Sequence, residues 1–124
     1  MTDSLHLYFC DITIFKNYFI VVMKEGTDIT VGHSDVLFDI SKTYFGGKQF
    51  VYISNRINSY SVNPNVYKKI NEIENLAGFA VVSYGFKTSG NVKIEQLYFD
   101  KPIEVFDNIN DAKEWAKSVV KNLT

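Results

Sequence analysis

The sequence predicts one α/β domain built on a mixed, mostly parallel five-stranded sheet, in the order β-β-α-β-α-β-α-β-α. Its 124 residues fall in the size range of a single domain, taken here as residues 1–124. Two strand-like segments near the N-terminus are separated by about two polar residues, which predicts an antiparallel hairpin. The later strands alternate with helical patterns, which is typical of parallel pairing. The hairpin is therefore expected at one edge of the sheet.

The first predicted strand, Leu5 to Phe15, is rich in β-branched and aromatic residues, but its alternation changes phase. Apolar residues occupy odd positions as far as Phe9 and even positions from Cys10 onward. Because one extra residue reverses the face on which side chains lie, this pattern predicts a bulge at Phe9–Cys10. The second strand of the hairpin is predicted over Tyr18 to Lys24.

The middle of the chain predicts a helix, a buried strand and a second helix. Thr30 is expected to cap a helix that runs to about Tyr44 and ends at Gly46-Gly47. Phe50 to Ile53 is an apolar run without alternation, which is typical of a strand covered on both faces. A polar segment follows, and Asn63-Pro64 predicts the start of the next helix, because a capping side chain precedes a proline.

The second half predicts two more strands and two more helices. Leu76 to Tyr84 repeats the buried-strand pattern, and Gly78 within it would let a helix approach closely. A shorter amphipathic stretch, Val92 to Phe99, predicts the third helix, and Ile103 to Phe106 the last strand. Asn108 is expected to cap the final helix. The apolar stripe of that helix is predicted to contain Ala112, Trp115, Ala116, Val119 and Leu123.

Composition and charge exclude several classes of function. The net charge is −1 and the basic residues are scattered among acidic ones, so we expect no nucleic-acid partner. The apolar run from Tyr18 to Met23 is far shorter than the roughly 20 residues of a membrane-spanning helix, so no integral membrane role is expected. The N-terminus has no basic region of the kind that begins a secretory signal. The single cysteine, Cys10, fits a reducing compartment, which indicates a cytoplasmic protein.

We find no constellation of residues that predicts catalysis. The two histidines, His6 and His33, fall in different predicted elements and have no nearby ligand pattern, so no metal and no cofactor are expected. An enzyme that used Arg56, Tyr60 and Ser61 at the strand end would lack an evident general base. The sequence therefore favours a protein that is not an enzyme.

One segment, Asn55 to Pro64, is the candidate functional site. It follows a predicted parallel strand, and ligands of open α/β sheets commonly bind outside the carboxyl ends of the strands. Arg56 is the only arginine of the chain, which suggests a need for a planar, bidentate donor. The alternative is structural, since asparagine, serine and arginine side chains also bond loop backbone. The candidate ligand- or partner-binding residues are Asn55, Arg56, Asn58, Ser59, Tyr60 and Ser61.

Several stretches resemble a known family. The chain resembles small stand-alone bacterial STAS-like proteins, which share the anti-sigma factor antagonist fold. The stretches that carry the resemblance are the N-terminal hairpin, the helix ending Tyr44-Phe45-Gly46, the run Tyr52 to Pro64 and the ending from Val105-Phe106-Asp107 to Trp115. The resemblance implies a mixed sheet with helices and a regulatory or binding role. In antagonist domains a serine after a central strand is phosphorylated by a partner kinase. Ser59 and Ser61 lie in a similar place and are the candidate phosphorylation sites.

Two functional hypotheses follow from the sequence. The first is a non-catalytic binding or regulatory module whose partner is a protein or a small anionic or amphipathic ligand. The second is a carrier of a small apolar or amphipathic ligand, because the chain has ten Phe and eight Tyr that could line a cavity. Exposed aromatic side chains could also form the face of a homodimer.

Overall fold

The computed structural model describes residues 3–58, 60–84 and 100–123. Within these ranges the chain forms eight strands and three helices. The helix predicted over Val92 to Phe99 lies outside the described residues. The strands are β1 (Asp3–His6), β2 (Cys10–Ile14), β3 (Tyr18–Met23), β4 (Asp28–Ile29), β5 (Phe50–Arg56), β6 (Ser61–Val62), β7 (Leu76–Ser83) and β8 (Ile103–Phe106), and the helices are α1 (Val31–Phe45), α2 (Asn65–Asn71) and α3 (Ile109–Leu123).

Six of the strands form one sheet in the order β1-β2-β3-β5-β7-β8. The pairs β1–β2 and β2–β3 are antiparallel, and the three remaining pairs are parallel. The predicted mixed, mostly parallel sheet with an antiparallel N-terminal edge is therefore confirmed. The predicted number of strands is wrong, because the described residues place six strands in this sheet instead of five. In addition, β4 and β6 form a separate sheet of two short parallel strands.

The sixth strand arises at the phase change near the N-terminus. The predicted bulge at Phe9–Cys10 is a reverse turn between β1 and β2, in which the Leu7 N–H donates to the Cys10 carbonyl at 2.8 Å. No described residue other than glycine has a positive φ, so Tyr8 and Phe9 adopt ordinary turn conformations that need no glycine or asparagine. The position at which the apolar alternation changes face is therefore the turn between β1 and β2.

The alternation of β5 separates two hydrophobic cores. Phe50 and Tyr52 belong to the core that also contains Leu37 of α1. Val51 and Ile53 belong to the core on the other face, which α3 covers. Both faces of the central parallel strands are thus buried, as the apolar run at Phe50 to Ile53 predicts.

The described helix ends agree with the predicted caps. Thr30 is the N-cap of α1, and its N–H donates to Nδ1 of His33 at 2.9 Å, which places the imidazole where a capping box usually has a glutamate. Gly46, at the end of α1, has a φ of 58°, a conformation that glycine adopts without strain. Asn108 Oδ1 accepts a hydrogen bond from the Asp111 N–H at 2.9 Å.

Helix α3 packs through the predicted apolar stripe. Ala112 and Ala116 are fully buried, and Trp115 and Val119 pack against the same core. The side chain of Leu123 is outside the described part of the chain. No helix among the described residues is long and apolar enough to cross a membrane.

Candidate functional site

Strand β5 is longer than the sequence predicts, and this changes the candidate site. It continues through Asn55 and Arg56, which pair with Val82 and Ser83 of β7. These two residues therefore belong to a strand and not to a loop. Asparagine is uncommon in strands, but the eight-residue buried strand β7 supplies backbone partners along this whole length.

The pleat of β5 sends two of its polar side chains inward. Ser54 and Arg56 point to the face covered by α1 and α2, and both are buried, with exposed fractions of 3% and 7%. The Arg56 Nε–H donates to Ser54 Oγ at 3.2 Å. The Ser54 and Tyr60 hydroxyl oxygens lie 3.3 Å apart, and the Arg56 guanidinium carbon lies 5.9 Å from the centre of the Tyr60 ring. The interior cluster formed by Ser54, Arg56 and Tyr60 places a cation at the end of an otherwise apolar core.

A cavity of about 20 Å³ adjoins the interior cluster. Its wall carries the hydroxyl-bearing residues Tyr52 and Tyr67 as well as the three residues of the interior cluster, and the remaining described lining is apolar. Burial, with a smaller effect of the neighbouring Tyr60, raises the pKa of Tyr52 well above its ordinary value. The Tyr52 hydroxyl is therefore protonated at neutral pH and can donate a hydrogen bond. A cavity of this size holds one water-sized group.

The carrier hypothesis receives no support from this cavity. A small apolar ligand needs a pocket of roughly 300 Å³ or more. The space beneath the interior cluster is about 20 Å³, because the side chains of the apolar core fill the rest.

Two predicted site residues stabilise the local fold. The Asn58 amide donates to the Met23 carbonyl at 2.9 Å, which ties the segment after β5 to the end of β3. The exposed Ser61 hydroxyl donates to an Asp28 carboxylate oxygen, beside the backbone pairing of β4 with β6. Part of the predicted site thus has the structural role that the alternative interpretation describes. Ser59 lies outside the described residues.

The helix that follows does not offer a free N-terminus. Helix α2 has only seven residues, and Pro64 is the residue that immediately precedes it. The helix begins one residue later than the Asn63-Pro64 pair predicts, but the Asn65 N–H still donates to the predicted capping side chain, Asn63 Oδ1, at 2.9 Å. Because this amide already has a partner, it is not available to bind an anion.

Exposed apolar side chains lie at the same end of the sheet, and the sequence analysis missed them. Ile57 follows β5 and is 59% exposed, and Tyr84 follows β7 and is 55% exposed. They directly follow Arg56 and Ser83, which form the last pair in the register of β5 with β7. The Tyr84 hydroxyl donates to Asn55 Oδ1 at 2.9 Å, which holds the ring in place.

Tyr8, in the turn between β1 and β2, is 79% exposed and lies at this end of the sheet as well. We call the surface formed by Tyr8, Asn55, Ile57, Asn58, Ser61 and Tyr84 the rim surface. Ile57 and Tyr84 directly follow two buried strands. This surface could have been predicted from that position in the sequence.

The other potentially reactive side chains in the described ranges are buried or take part in the packing and capping of the fold. Cys10 is fully buried, and burial together with the charge of Asp11 raises the pKa of its thiol to about 12, so it is no thiolate nucleophile at neutral pH. His33 accepts the Thr30 N–H and packs 4.4 Å from the Phe9 ring. Among the described residues, no three histidine, cysteine or acidic side chains come together in a way that could hold a metal ion.

The arrangement of sheet and helices is the SpoIIAA-like fold, which is the STAS-like fold that the sequence resemblance implies. The chain is similar to an uncharacterized protein from the DUF3478 family with a SpoIIAA-like fold, from Shewanella loihica PV-4. The two agree with a TM-score of 0.57 over 94% of this chain and 92% of the other, with 9% sequence identity. No protein-family model and no curated protein matches the sequence. The fold resemblance predicted from the sequence is thereby confirmed.

Proposed function

We propose that the chain is a non-catalytic, cytoplasmic binding module that docks a protein partner on the rim surface. The observation that supports this proposal is the exposure of Ile57 and Tyr84, which directly follow the last paired residues of β5 and β7 at the carboxyl end of the parallel strands. The cytoplasmic location is favoured by the single, reduced Cys10.

The chemistry of the rim surface favours a protein partner. Tyrosine and large apolar residues are enriched in the centres of protein interfaces, where charged residues are depleted. The rim surface also carries amide and hydroxyl groups, since Asn58 is bonded to the end of β3 and Ser61 is exposed beside Asp28. The bonds of Asn58 to Met23 and of Asn55 to Tyr84 fix this surface before binding, which lowers the entropy lost on association.

Replacing Ile57 with aspartate tests the proposal. A charge at the centre of the interface would have to be buried without a partner, so we expect capture of the partner from native cells to fall at least about tenfold. The matched control is Val105→Asp, because Val105 is 44% exposed but lies on β8 and outside the rim surface. Both variants should keep the wild-type melting temperature to within a few degrees. Equal loss of capture in the two variants, or none in Ile57→Asp, would contradict the proposal.

Phosphorylation of Ser61 or Ser59 belongs to the same proposal. A phosphate on Ser61 would face the Asp28 carboxylate that now accepts its hydroxyl, and repulsion between the two would loosen the β4–β6 pairing next to the rim surface. We expect intact-mass spectra of the protein from its native cells to contain a species heavier by one phosphate. Ser61→Ala and Ser59→Ala variants would locate it. Protein that is unmodified under all growth conditions would refute this part of the proposal.

A further inference from the structure

Tyr52 lines the cavity of about 20 Å³, and its hydroxyl has no hydrogen-bond partner among the described residues. The side chain is 4% exposed, and its ring packs against those of Phe19 and Phe79, with centroid distances of 5.1 and 4.8 Å. These contacts hold the ring inside the core. A buried hydroxyl without a hydrogen bond costs free energy, so such groups in native proteins nearly always have a partner, either a protein group or an ordered water.

A second hydroxyl hydrogen in the wall of the same cavity also needs an acceptor. The Ser54 and Tyr60 oxygens share one hydrogen bond at 3.3 Å, and Ser54 Oγ also accepts the Arg56 Nε–H at 3.2 Å. Because each hydroxyl carries a single hydrogen, the bond between Ser54 and Tyr60 uses only one of their two hydrogens. Whichever residue donates, the hydrogen of the other has no acceptor within the described ranges. Two hydroxyl donors therefore border the cavity, one from Tyr52 and one from this pair.

The occupant that suits this cavity is small and accepts hydrogen bonds. About 10–15 Å³ of such volume is enough for one water molecule, and the cavity has about 20 Å³. A water molecule can accept hydrogen bonds from two donors at once. A cation cannot accept them, and the positive charge of Arg56, which also lines the cavity, would repel it. The cavity thus has the size and the polar partners for a single water.

We propose that this cavity binds one structural water, which accepts hydrogen bonds from Tyr52 and from the pair formed by Ser54 and Tyr60. The water links β5 to the segment between β5 and β6 that carries Tyr60, a segment that is also held by the two-residue pairing of β6 with β4. The bound water therefore helps to fix Tyr60 against β5. This inference goes beyond the proposed docking function and is independent of it, because Tyr52 and Ser54 are buried and do not belong to the rim surface.

A crystal structure of the wild-type protein tests the site directly. We expect one ordered water about 2.8 Å from Tyr52 Oη and within hydrogen-bond distance of Ser54 Oγ or Tyr60 Oη. The measurement needs a resolution at which ordered waters are visible on the protein surface. At that resolution, the lack of density for a water beside Tyr52 Oη would overturn the proposal.

Tyr52→Phe tests the site in solution through the sign of its effect on the melting temperature. With the water bound, the variant removes one of its partners, so we expect the melting temperature to fall by about 3–8 °C. Without a water, the variant removes a buried hydroxyl that has no partner, and the melting temperature should rise. Tyr44→Phe is the matched control, since it removes an exposed hydroxyl that bonds Asp3 and should shift the melting temperature by less than about 2 °C. The proposal is overturned if Tyr52→Phe is as stable as the wild type or more stable.

Discussion

Replacing Phe50 with alanine is expected to lower the free energy of unfolding by about 3–5 kcal/mol. Phe50 is fully buried at the start of β5. Its ring stacks on Phe45 with the centroids 4.5 Å apart, and it meets Phe19 edge-on at 5.4 Å. The substitution leaves a cavity among rigid aromatic neighbours that cannot collapse to fill it. Urea denaturation followed by circular dichroism measures the loss.

The control for Phe50 is an exposed aromatic residue. Tyr84→Ala removes a ring that is 55% exposed and one hydrogen bond to Asn55, so we expect a loss below about 1 kcal/mol. A loss below about 1 kcal/mol in Phe50→Ala as well would show that the aromatic cluster of α1, β3 and β5 is not the centre of this core.

The second large effect is expected at Gly78, where α3 approaches β7. A Cβ at this position would lie 2.9 Å from Cη2 of Trp115 and 3.3 Å from the Pro102 carbonyl oxygen. The Trp115 ring would have to shift, so Gly78→Ala should cost about 1–3 kcal/mol in spite of the lower entropy of the unfolded chain. The free energy of unfolding again gives the measurement.

Two further variants separate the clash from a general effect of alanine. Gly47→Ala adds the same methyl group where no atom lies within 4 Å, so it should be neutral or stabilise by up to about 1 kcal/mol. In a Trp115→Phe background the shorter ring frees the space, and Gly78→Ala should cost clearly less there than in the wild type. If Gly78→Ala is as stable as the wild type, Trp115 does not pack on β7 in this way.

Much of the fold is predictable because it depends on local patterns. The apolar runs at β5 and β7 indicate buried parallel strands, and the stripe that contains Ala112 and Ala116 predicts α3. The caps Thr30 and Asn108 and the stop at Gly46 have local physical causes. For these elements short-range sequence and long-range packing favour the same structure.

The features that the sequence does not predict depend on distant partners. The turn at Tyr8 and Phe9 contains no turn-forming residue, and β4 and β6 have two residues each, so they exist only because each pairs with the other. The extension of β5 through Asn55 and Arg56 has the same origin, since Val82 and Ser83 of β7 supply the partners. Local propensity gives little information about such pairings.

The candidate segment lies where its position in the sequence implies, but its side chains are arranged differently from the prediction. The segment after β5 does lie at the carboxyl end of the parallel strands, as its position in the sequence implies. The side chains of Ser54 and Arg56, however, point inward because side chains alternate between the two faces of a strand. Ile57, which is not among the predicted site residues, is exposed. Arg56 faces the interior because β5 continues as far as this residue. That extension depends on the pairing of β5 with β7, which the sequence does not show.

Site-specific photocrosslinking tests the central claim, that the rim surface is where a protein partner docks. A photoreactive phenylalanine analogue would replace Ile57 or Tyr84 in the full chain expressed in native cells, with the same analogue at Tyr44 and Val105 as controls. We expect one crosslinked complex of defined mass, containing a different protein, from Ile57 and Tyr84 and none from the controls. Crosslinks from Tyr44 or Val105 alone, or a crosslink from Ile57 only to a second copy of this chain, would contradict the claim.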